Sequence, residues 1–573
     1  MQKALKYSRI VISIFMLLAL GFLFLDFNET LSSAWYRRLT WLQVVPSFMM
    51  FLQTVGHGLA VTAYGFIVVL ILTLLFGRVY CSYICPLGIF QDVISWCSVK
   101  VRSNGKRKFR FRFAAPKTKL RYSILILVLL SLFTGSLLLL NTLEPYSNFG
   151  RFITNFFRPL YILCNNLLVK IFEHFGSYAL YPVTVAKTDP LALLIPVIMF
   201  GIVGWLSVRR GRLFCNTVCP GGTVLGLISK VSFFKIRFDT SNCNQCGKCM
   251  FVCKSQCINV KSREIDFDRC VGCGNCINIC DKNAIHYTQT FARKRVEMKQ
   301  SSLSNQPKAF CPAPNPVAVQ QNSTDISKRN FIFDSVLLIA TLSSAQLFAQ
   351  PNGRINQNRH IRRRMRRHQK GADALHELGR GKGQLKFVPT HVVTPPGSQN
   401  VKHFKQACTA CHLCVSACPT KVLQPSFLEH GLGGMMQPYM DYDTSFCNYE
   451  CTRCSEICPN GAILPLTVDE KRTTQIGVVQ FEKRNCVVYI DETSCGSCSE
   501  HCPTKAVRMV PYKGLLTIPE ITPEICVGCG ACEYACPSTP YKAIVVNGHP
   551  AHETAKIPEE TELESKPLDD FPF

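Results

Sequence analysis

Two kinds of domain are predicted for this chain. One is an α-helical membrane bundle of four helices, with a fifth helix further on, and the other is a set of small α+β modules built round clustered cysteines. Three observations lead there. Hydrophobic residues make up 47% of the 573 residues and charged residues 18%, with a mean hydropathy of +0.13. That is too apolar for a disordered chain, and the length suits two or three domains. The 32 cysteines far exceed what packing requires, and twenty-four fall in runs at metal-ligand spacing, which excludes a disulfide-stapled miniprotein. The formal charge of +27 is concentrated: residues 100–121 hold ten Lys/Arg and no acid, and residues 354–370 hold eight and no acid. Both stretches lie beside apolar segments, so they read as topology and lipid-contact signals, and nucleic acid is set aside as a partner.

Residues 11–25 form an apolar run behind Lys3, Lys6 and Arg9. Leu25-Asp26-Phe27-Asn28 offers no small-residue cleavage site, so the run reads as a first transmembrane helix and not a signal peptide. Residues 58–77, 122–140 and 191–208 are further apolar segments, near the ~20 residues that cross a ~30 Å hydrocarbon layer. The ten-charge loop follows the second, and Arg209, Arg210 and Arg212 follow the fourth. Positive-inside bias then puts the N-terminus, the 98–121 loop and the chain after Val208 in the cytoplasm. Residues 1–230 form this membrane domain. His57 lies near the outer end of the second span, either as a structural group or as a quinone contact. Within the second outer loop, residues 151–175 place Phe152, Phe156, Leu160, Leu163, Leu167 and Ile171 at helical spacing. They suit a helix packed on the bundle, or an interfacial helix walling a quinone pocket.

Two related motifs follow two of the spans: GRVYCSYICPLG, with Cys81, Cys85 and Pro86, and GRLFCNTVCPGG, with Cys215, Cys219 and Pro220. Spacing of i,i+4 puts each sulfur pair on one helix face. Four thiols at the inner membrane face suit a redox pair or a metal site; buried structural cysteine is the plain alternative.

Residues 231–291 carry Cys243-x2-Cys246-x2-Cys249-x3-Cys253 and Cys270-x2-Cys273-x2-Cys276-x3-Cys280. This is the bacterial [4Fe–4S] run, in which three thiolates bind one cluster and the fourth binds its neighbour. Cys243, Cys246, Cys249 and Cys280 are expected to hold one cluster, and Cys270, Cys273, Cys276 and Cys253 the other. The fourth cysteine is expected to open a helix leading to the second cluster; Lys254 and Asp281 stand where proline usually follows. Cys257 is left unassigned. Residues 292–330 read as a polar linker. Within 327–332, Ser-Lys-Arg-Asn-Phe-Ile precedes the apolar 331–349 segment, like a twin-arginine export signal with Lys328 in the first arginine's place. As a fifth span this segment would put the remainder outside the cytoplasm. The basic 350–400 linker opposes that by positive-inside counting, although large domains translocate largely regardless of charge.

Residues 401–550 carry four more runs: Cys408, Cys411, Cys414, Cys418; Cys447, Cys451, Cys454, Cys458; Cys486, Cys495, Cys498, Cys502; and Cys526, Cys529, Cys532, Cys536. All sixteen are expected to be metal ligands, making six [4Fe–4S] clusters in the chain. Fourth-cysteine exchange is expected to pair run one with run four and run two with run three. Cys408-Thr409-Ala410-Cys411-His412 also matches a haem-attachment pattern, but Cys414 and Cys418 complete a ferredoxin run. No haem, flavin or NAD site is expected, nor any Ser/His/Asp arrangement. Residues 551–573 form an acidic tail.

With these motifs in place, the first ~290 residues resemble the NapH/MauN family: four spans, two C-x3-C-P motifs and a cytoplasmic two-cluster ferredoxin. Residues ~327–550, with the export-like signal, a TPPGS segment at 394–398 and four clusters, resemble the NapG/MauM family. The resemblance implies a fused, bacterial-ferredoxin-like protein of the bacterial inner membrane, with the second iron–sulfur domain in the periplasm. It implies electron transfer from the quinol pool towards a periplasmic reductase or cytochrome. The other reading is a maturation or reactivation factor, or a metal reductant, working through Cys81, Cys85, Cys215 and Cys219.

Overall fold

The computed structural model describes residues 2–26, 30–54, 64–102, 111–184, 190–239, 241–289, 385–386 and 389–557. His57, the 292–330 linker, the expected fifth helix, most of the basic linker and the tail from 558 lie outside the described residues. The described residues belong to one compact unit.

Among the described residues, two helices are long and apolar enough to cross a membrane, Lys6–Leu25 and Pro190–Arg210. They are the first and fourth of the expected spans; the third is shorter than expected, and residues 58–63 of the second lie outside the described residues. The second is helical over Tyr64–Phe76. The third, Thr118–Phe133, ends early for a local reason. Gly135 takes a left-handed φ of +74°, its N–H donates to Leu132 O at 3.0 Å, and Ser136 N–H donates to Ser131 O at 2.9 Å. This is a Schellman stop, and the chain resumes helix only at Leu138–Leu143.

The stripe expected on residues 151–175 is helical but divided between core and surface. A helix Pro145–Phe152, capped by Glu144, runs through a π turn Ile153–Phe157 into Arg158–His174. Phe152 is buried in the core, Phe156, Leu160, Leu163, Leu167 and Ile171 are exposed, and Ile162 and Val169 are buried. Periodicity identifies residues that share a face but not the direction the face turns. Apolar side chains are exposed in the same way on the first helix (Val11, Phe15, Leu18) and on Pro190–Arg210 (Leu194, Ile198, Trp205).

Each cysteine module is built on one plan. In the first, strand Phe234–Phe238 pairs antiparallel with Ile285–Gln289, and a small hairpin, Ile258–Asn259 with Glu264–Ile265, joins the two runs. Runs three and four of the second domain repeat it: Thr474–Phe481 pairs with Ile544–Thr554, and Val507–Pro511 with Thr517–Ile521 between the runs. Runs one and two are joined by the hairpin Leu423–Pro425 with Pro438–Met440.

The expectation that the fourth cysteine opens a helix is corrected. A single helical turn instead carries the third cysteine, as in Lys248–Phe251, Asn275–Ile279, Leu413–Ala417 and Ala531–Ala535. Cys280, Cys418 and Cys536 end these turns in extended conformation. Where proline follows, as after Cys418 and Cys536, its ring disfavours a helical residue before it.

The two modules lie at opposite ends of the helices. The first helix, Gln2–Leu25, touches both Asn275–Ile279 of the first module and Leu413–Ala417 of the second. At its start Arg9 pairs with Asp92; at its end Leu20, Leu23 and Phe24 share a core with Tyr146, Phe149, Cys411, Leu413 and Ile457.

Candidate metal centres

Six sets of four cysteines are brought together, each from two runs. In the first module, one cavity of about 680 Å³ is lined by Cys243, Cys246, Cys249 and Cys280. A tighter one of about 320 Å³ is lined by Cys270, Cys273, Cys276 and Cys253. In the second domain one cavity carries Cys447, Cys451 and Cys454 with Cys418, and another Cys486, Cys495 and Cys498 with Cys536. The Cys458 thiol lies among Cys408, Cys411 and Cys414, and Cys502 among Cys526, Cys529 and Cys532.

Runs one and two therefore exchange their fourth cysteines, as do runs three and four, and the nested pairing expected from sequence is corrected. The physical reason is the hairpin between consecutive runs, which holds their helical turns side by side: Leu413–Ala417 packs on Arg453–Ile457, and Ser497–Glu500 on Ala531–Ala535. The two halves meet at Cys447, whose N–H donates to Cys529 O at 2.9 Å.

Among the described residues, no group of three or more His, Cys, Asp or Glu side chains is placed to hold a single metal ion. The thiols stand round cavities instead. That arrangement fits a cubane, whose four irons stand apart and take one thiolate each. Donors reach the sulfurs too: Ala410 N–H lies 3.4 Å from Cys408 Sγ, and Ala284 N–H 3.3 Å from Cys280 Sγ. The Thr420 and Thr504 hydroxyls stand 3.6 and 3.7 Å from Cys418 and Cys502. His412, the histidine of the haem-like pattern, is buried with Nε2 2.9 Å from Met436 O. Burial, with Arg151 nearby, pushes its pKa down to about 3, so the ring is neutral.

The two C-x3-C-P motifs face each other. Arg78 and Arg212, each at most 1% exposed, cross between them. Arg78 Nη2 donates to Cys215 O at 3.0 Å, and Arg212 Nη1 donates to Cys81 O at 2.6 Å. Gly88 and Gly222 stand three residues after Cys85 and Cys219. A Cβ on either would lie 2.4 Å from Cys81 O or Cys215 O, so only glycine admits the approach. All four thiols are buried. Burial, then the neighbouring Cys215, Cys81 and Cys219 thiols, push Cys85 up. Pro86 and Pro220 begin the following helices, and Gly222 N–H donates to Cys219 Sγ at 3.2 Å. The first module rests directly on this pair. Ser82 Oγ donates to Val271 O at 2.7 Å, and Cys273 packs against the core that holds Cys81 and Cys85.

Asp92 was not singled out from the sequence, yet it ties three segments together. Arg212 binds it through Nε and Nη2, both at 2.8 Å, and Arg9 and Lys254 lie at 3.2 and 3.6 Å. Burial opposes its charge, but Arg212, Lys254 and Arg9 hold the carboxyl well below its ordinary range. Its signal in the sequence was a lone acid in a largely apolar helix that runs into a basic loop.

Family models described as a 4Fe-4S binding domain match residues 60–111 with 191–240, and residues 263–286; one described as a 4Fe-4S dicluster domain matches 493–539. The first match covers both C-x3-C-P motifs. Among curated relatives, the ferredoxin-type protein NapF of Escherichia coli (strain K12) is 27% identical over 27% of this chain and 87% of its own length. The ferredoxin-type protein NapG of the same strain is 28% identical over 25% of this chain and 64% of its own. The methylamine utilization ferredoxin-type protein MauM of Methylophilus methylotrophus is 34% identical over 27% and 72%. No solved structure matches the chain. With several 4Fe–4S binding domains and relatives of this kind, the chain belongs to the family of ferredoxin-type iron–sulfur proteins that includes MauM.

Proposed function

We propose that this protein is a membrane-bound electron carrier that holds six [4Fe–4S] clusters on the cysteine sets above and moves electrons from quinol to an extracytoplasmic redox protein. The observation that carries the reading is the placement of the modules at opposite ends of one helical bundle. The 24-residue first helix is long enough, at roughly 36 Å, to cross a bilayer core. The exposed apolar side chains along it and along Pro190–Arg210 suit lipid. The 98–121 basic loop begins at the end occupied by the first module, which suits a cytoplasmic first module and a periplasmic second domain. On this reading the first ~290 residues are NapH/MauN-like, and the shorter helices complete a four-helix membrane domain.

A bound cubane takes up and releases one electron, and the protein sets its potential through burial and hydrogen bonds to sulfur. The chain's own residues order the sets. Cys408 and Cys411 face the bundle: Asn141 Nδ2 donates to Cys408 O, and Gly150 lies against Cys411 O. The Cys447 set comes next and meets the Cys526 set at the Cys447–Cys529 hydrogen bond, with the Cys486 set beyond. Quinol oxidation also needs a proton acceptor beside the first electron acceptor. Glu144, fully buried near Cys411, suits that role; burial raises its pKa against the amide hydrogen bonds that lower it.

Protease treatment of intact spheroplasts tests the reading. Digestion of a C-terminal epitope without lysis is expected; protection until lysis would sink electron export. One observation favours a second reading. Cys273 of the first module packs against the core that holds Cys81, Cys85 and Cys219, which suits electron supply from that module to a cytoplasm-facing thiol or metal site. Replacing Cys81, Cys85, Cys215 and Cys219 separates the two: a carrier keeps quinol-driven reduction of the second domain, and a thiol-based factor loses its activity.

A further inference from the structure

Cys257 belongs to none of the four-cysteine runs, yet it is 2% exposed and lines the cavity of Cys253, Cys270, Cys273 and Cys276. Its Sγ lies 3.5 Å from Cys253 Sγ, and Cys270 lines the same cavity. Five thiols thus surround a cavity for which ligand spacing accounts for four.

The chain's own repeats show what this position is. Cys257 stands four residues after the last cysteine of its run. In five of the six runs the third residue after that cysteine is left-handed: Gln256 (φ +53°), Asn283 (+51°), Lys421 (+61°), Gly461 (+69°) and Lys505 (+56°). That turn folds the fourth residue back over the ligand, as the Ala284 N–H to Cys280 Sγ contact of 3.3 Å shows. In the other four of these runs the fourth residue is Ala284, Val422, Ala462 or Ala506, each at most 1% exposed. A small apolar side chain fills the place beside the thiolates. In the first run alone it is replaced by a hydrogen-bond donor.

We propose that Cys257 is a positioning residue that donates its S–H to the Cys253 thiolate and raises the reduction potential of the cluster that Cys253 helps to hold. The inference rests on the reading that Cys253, Cys270, Cys273 and Cys276 are its ligands. A ligand thiolate carries no proton, so the S–H of the pair belongs to Cys257. Reduction adds negative charge that spreads onto the sulfurs, and a donor aimed at them stabilises the reduced state more than the oxidised one. Cys273 of this set packs against the core that holds Cys81, Cys85 and Cys219, and a raised potential would make the set the resting place for electrons within the first module.

The test uses the full-length protein in detergent with Cys257→Ala, the residue other runs carry, and Cys257→Ser, which keeps a donor. Iron and sulfide should stay at wild-type levels in both. In a redox titration followed by electron paramagnetic resonance, Cys257→Ala should move one midpoint downwards and leave the rest in place. A shift of about 59 mV would be a tenfold change in the oxidised-to-reduced ratio for one electron. Cys257→Ser should recover most of it. Unmoved midpoints in Cys257→Ala would overturn the proposal, and so would loss of one cluster's iron, which would make Cys257 a ligand. Cys270→Ala is the control for the underlying reading: undiminished iron there would remove the ligand assignment itself.

Discussion

Replacing Asp92 with asparagine removes one charge and almost no volume, yet it should loosen the first cysteine module. The carboxylate accepts two parallel bonds of 2.8 Å from Arg212 and lies 3.2 Å from Arg9 and 3.6 Å from Lys254. Arg212 is 1% exposed and Arg9 7%, so neither cation can turn to water when its partner is lost. Removing one partner of such a buried pair costs about 3–5 kcal/mol, because the remaining charge is left uncompensated. At about 1.4 kcal/mol per tenfold, opening would become roughly a hundred- to a few-thousandfold more frequent. The effect should be local, since Asp92 joins the first helix, the second C-x3-C-P motif and the first module. Hydrogen exchange of amides in 254–271, measured in detergent for wild type and Asp92→Asn, reads it directly. Arg472→Gln, which breaks an exposed pair with Glu450, serves as the control and should change little. Equal exchange in Asp92→Asn and wild type would refute the argument. The pH dependence has a definite sign. A carboxyl whose folded pKa is depressed contributes fully above its ordinary value of about 3.9 and loses that contribution as pH falls towards the depressed one. Attachment should therefore be flat between roughly pH 5 and 8.

Three further outcomes are expected. If runs one and two exchange ligands, Cys408→Ala and Cys458→Ala damage the same cluster, so iron loss in the double variant matches either single; Cys408→Ala with Cys536→Ala should lose twice as much, and the reverse pattern would restore the nested pairing. Gly150→Ala places a methyl group 2.5 Å from Cys411 O and 2.6 Å from the Phe24 ring, an overpacking of roughly 1–3 kcal/mol that should show as earlier protease release of the second domain. Glu144→Gln should slow quinol-driven reduction by roughly 10²–10⁴ if its carboxylate takes the proton, while dithionite still reduces every cluster; unchanged quinol kinetics would exclude it.

Local chemistry made much of this protein legible. The x2-x2-x3 spacing placed four of the six runs, and the shared x2-x3 ending the other two, because cysteines of one tight loop and a fourth beyond a single helical turn are neighbours along the chain. The repeated Gly-Arg and Cys-Pro marked two equivalent motifs, since proline fixes where the next helix begins and Arg is wanted only where a partner waits. What a run exchanges with was not legible. Any two runs satisfy the spacing equally, and the choice between Cys458 and Cys536 for the Cys408 set was made by the hairpin Leu423–Pro425 with Pro438–Met440 and by Leu413–Ala417 packing on Arg453–Ile457. Hydropathy likewise found the apolar segments but not the Schellman stop at Gly135, nor the outward turn of Leu163 and Leu167. The tertiary structure alone showed Arg78 and Arg212 crossing between motifs more than a hundred residues apart, and Asp92 between three cations. It also set Cys257 against Cys253. Such contacts join residues remote in sequence, and a sequence records residue types and spacings, whereas the approach of distant segments is set by how their apolar faces pack.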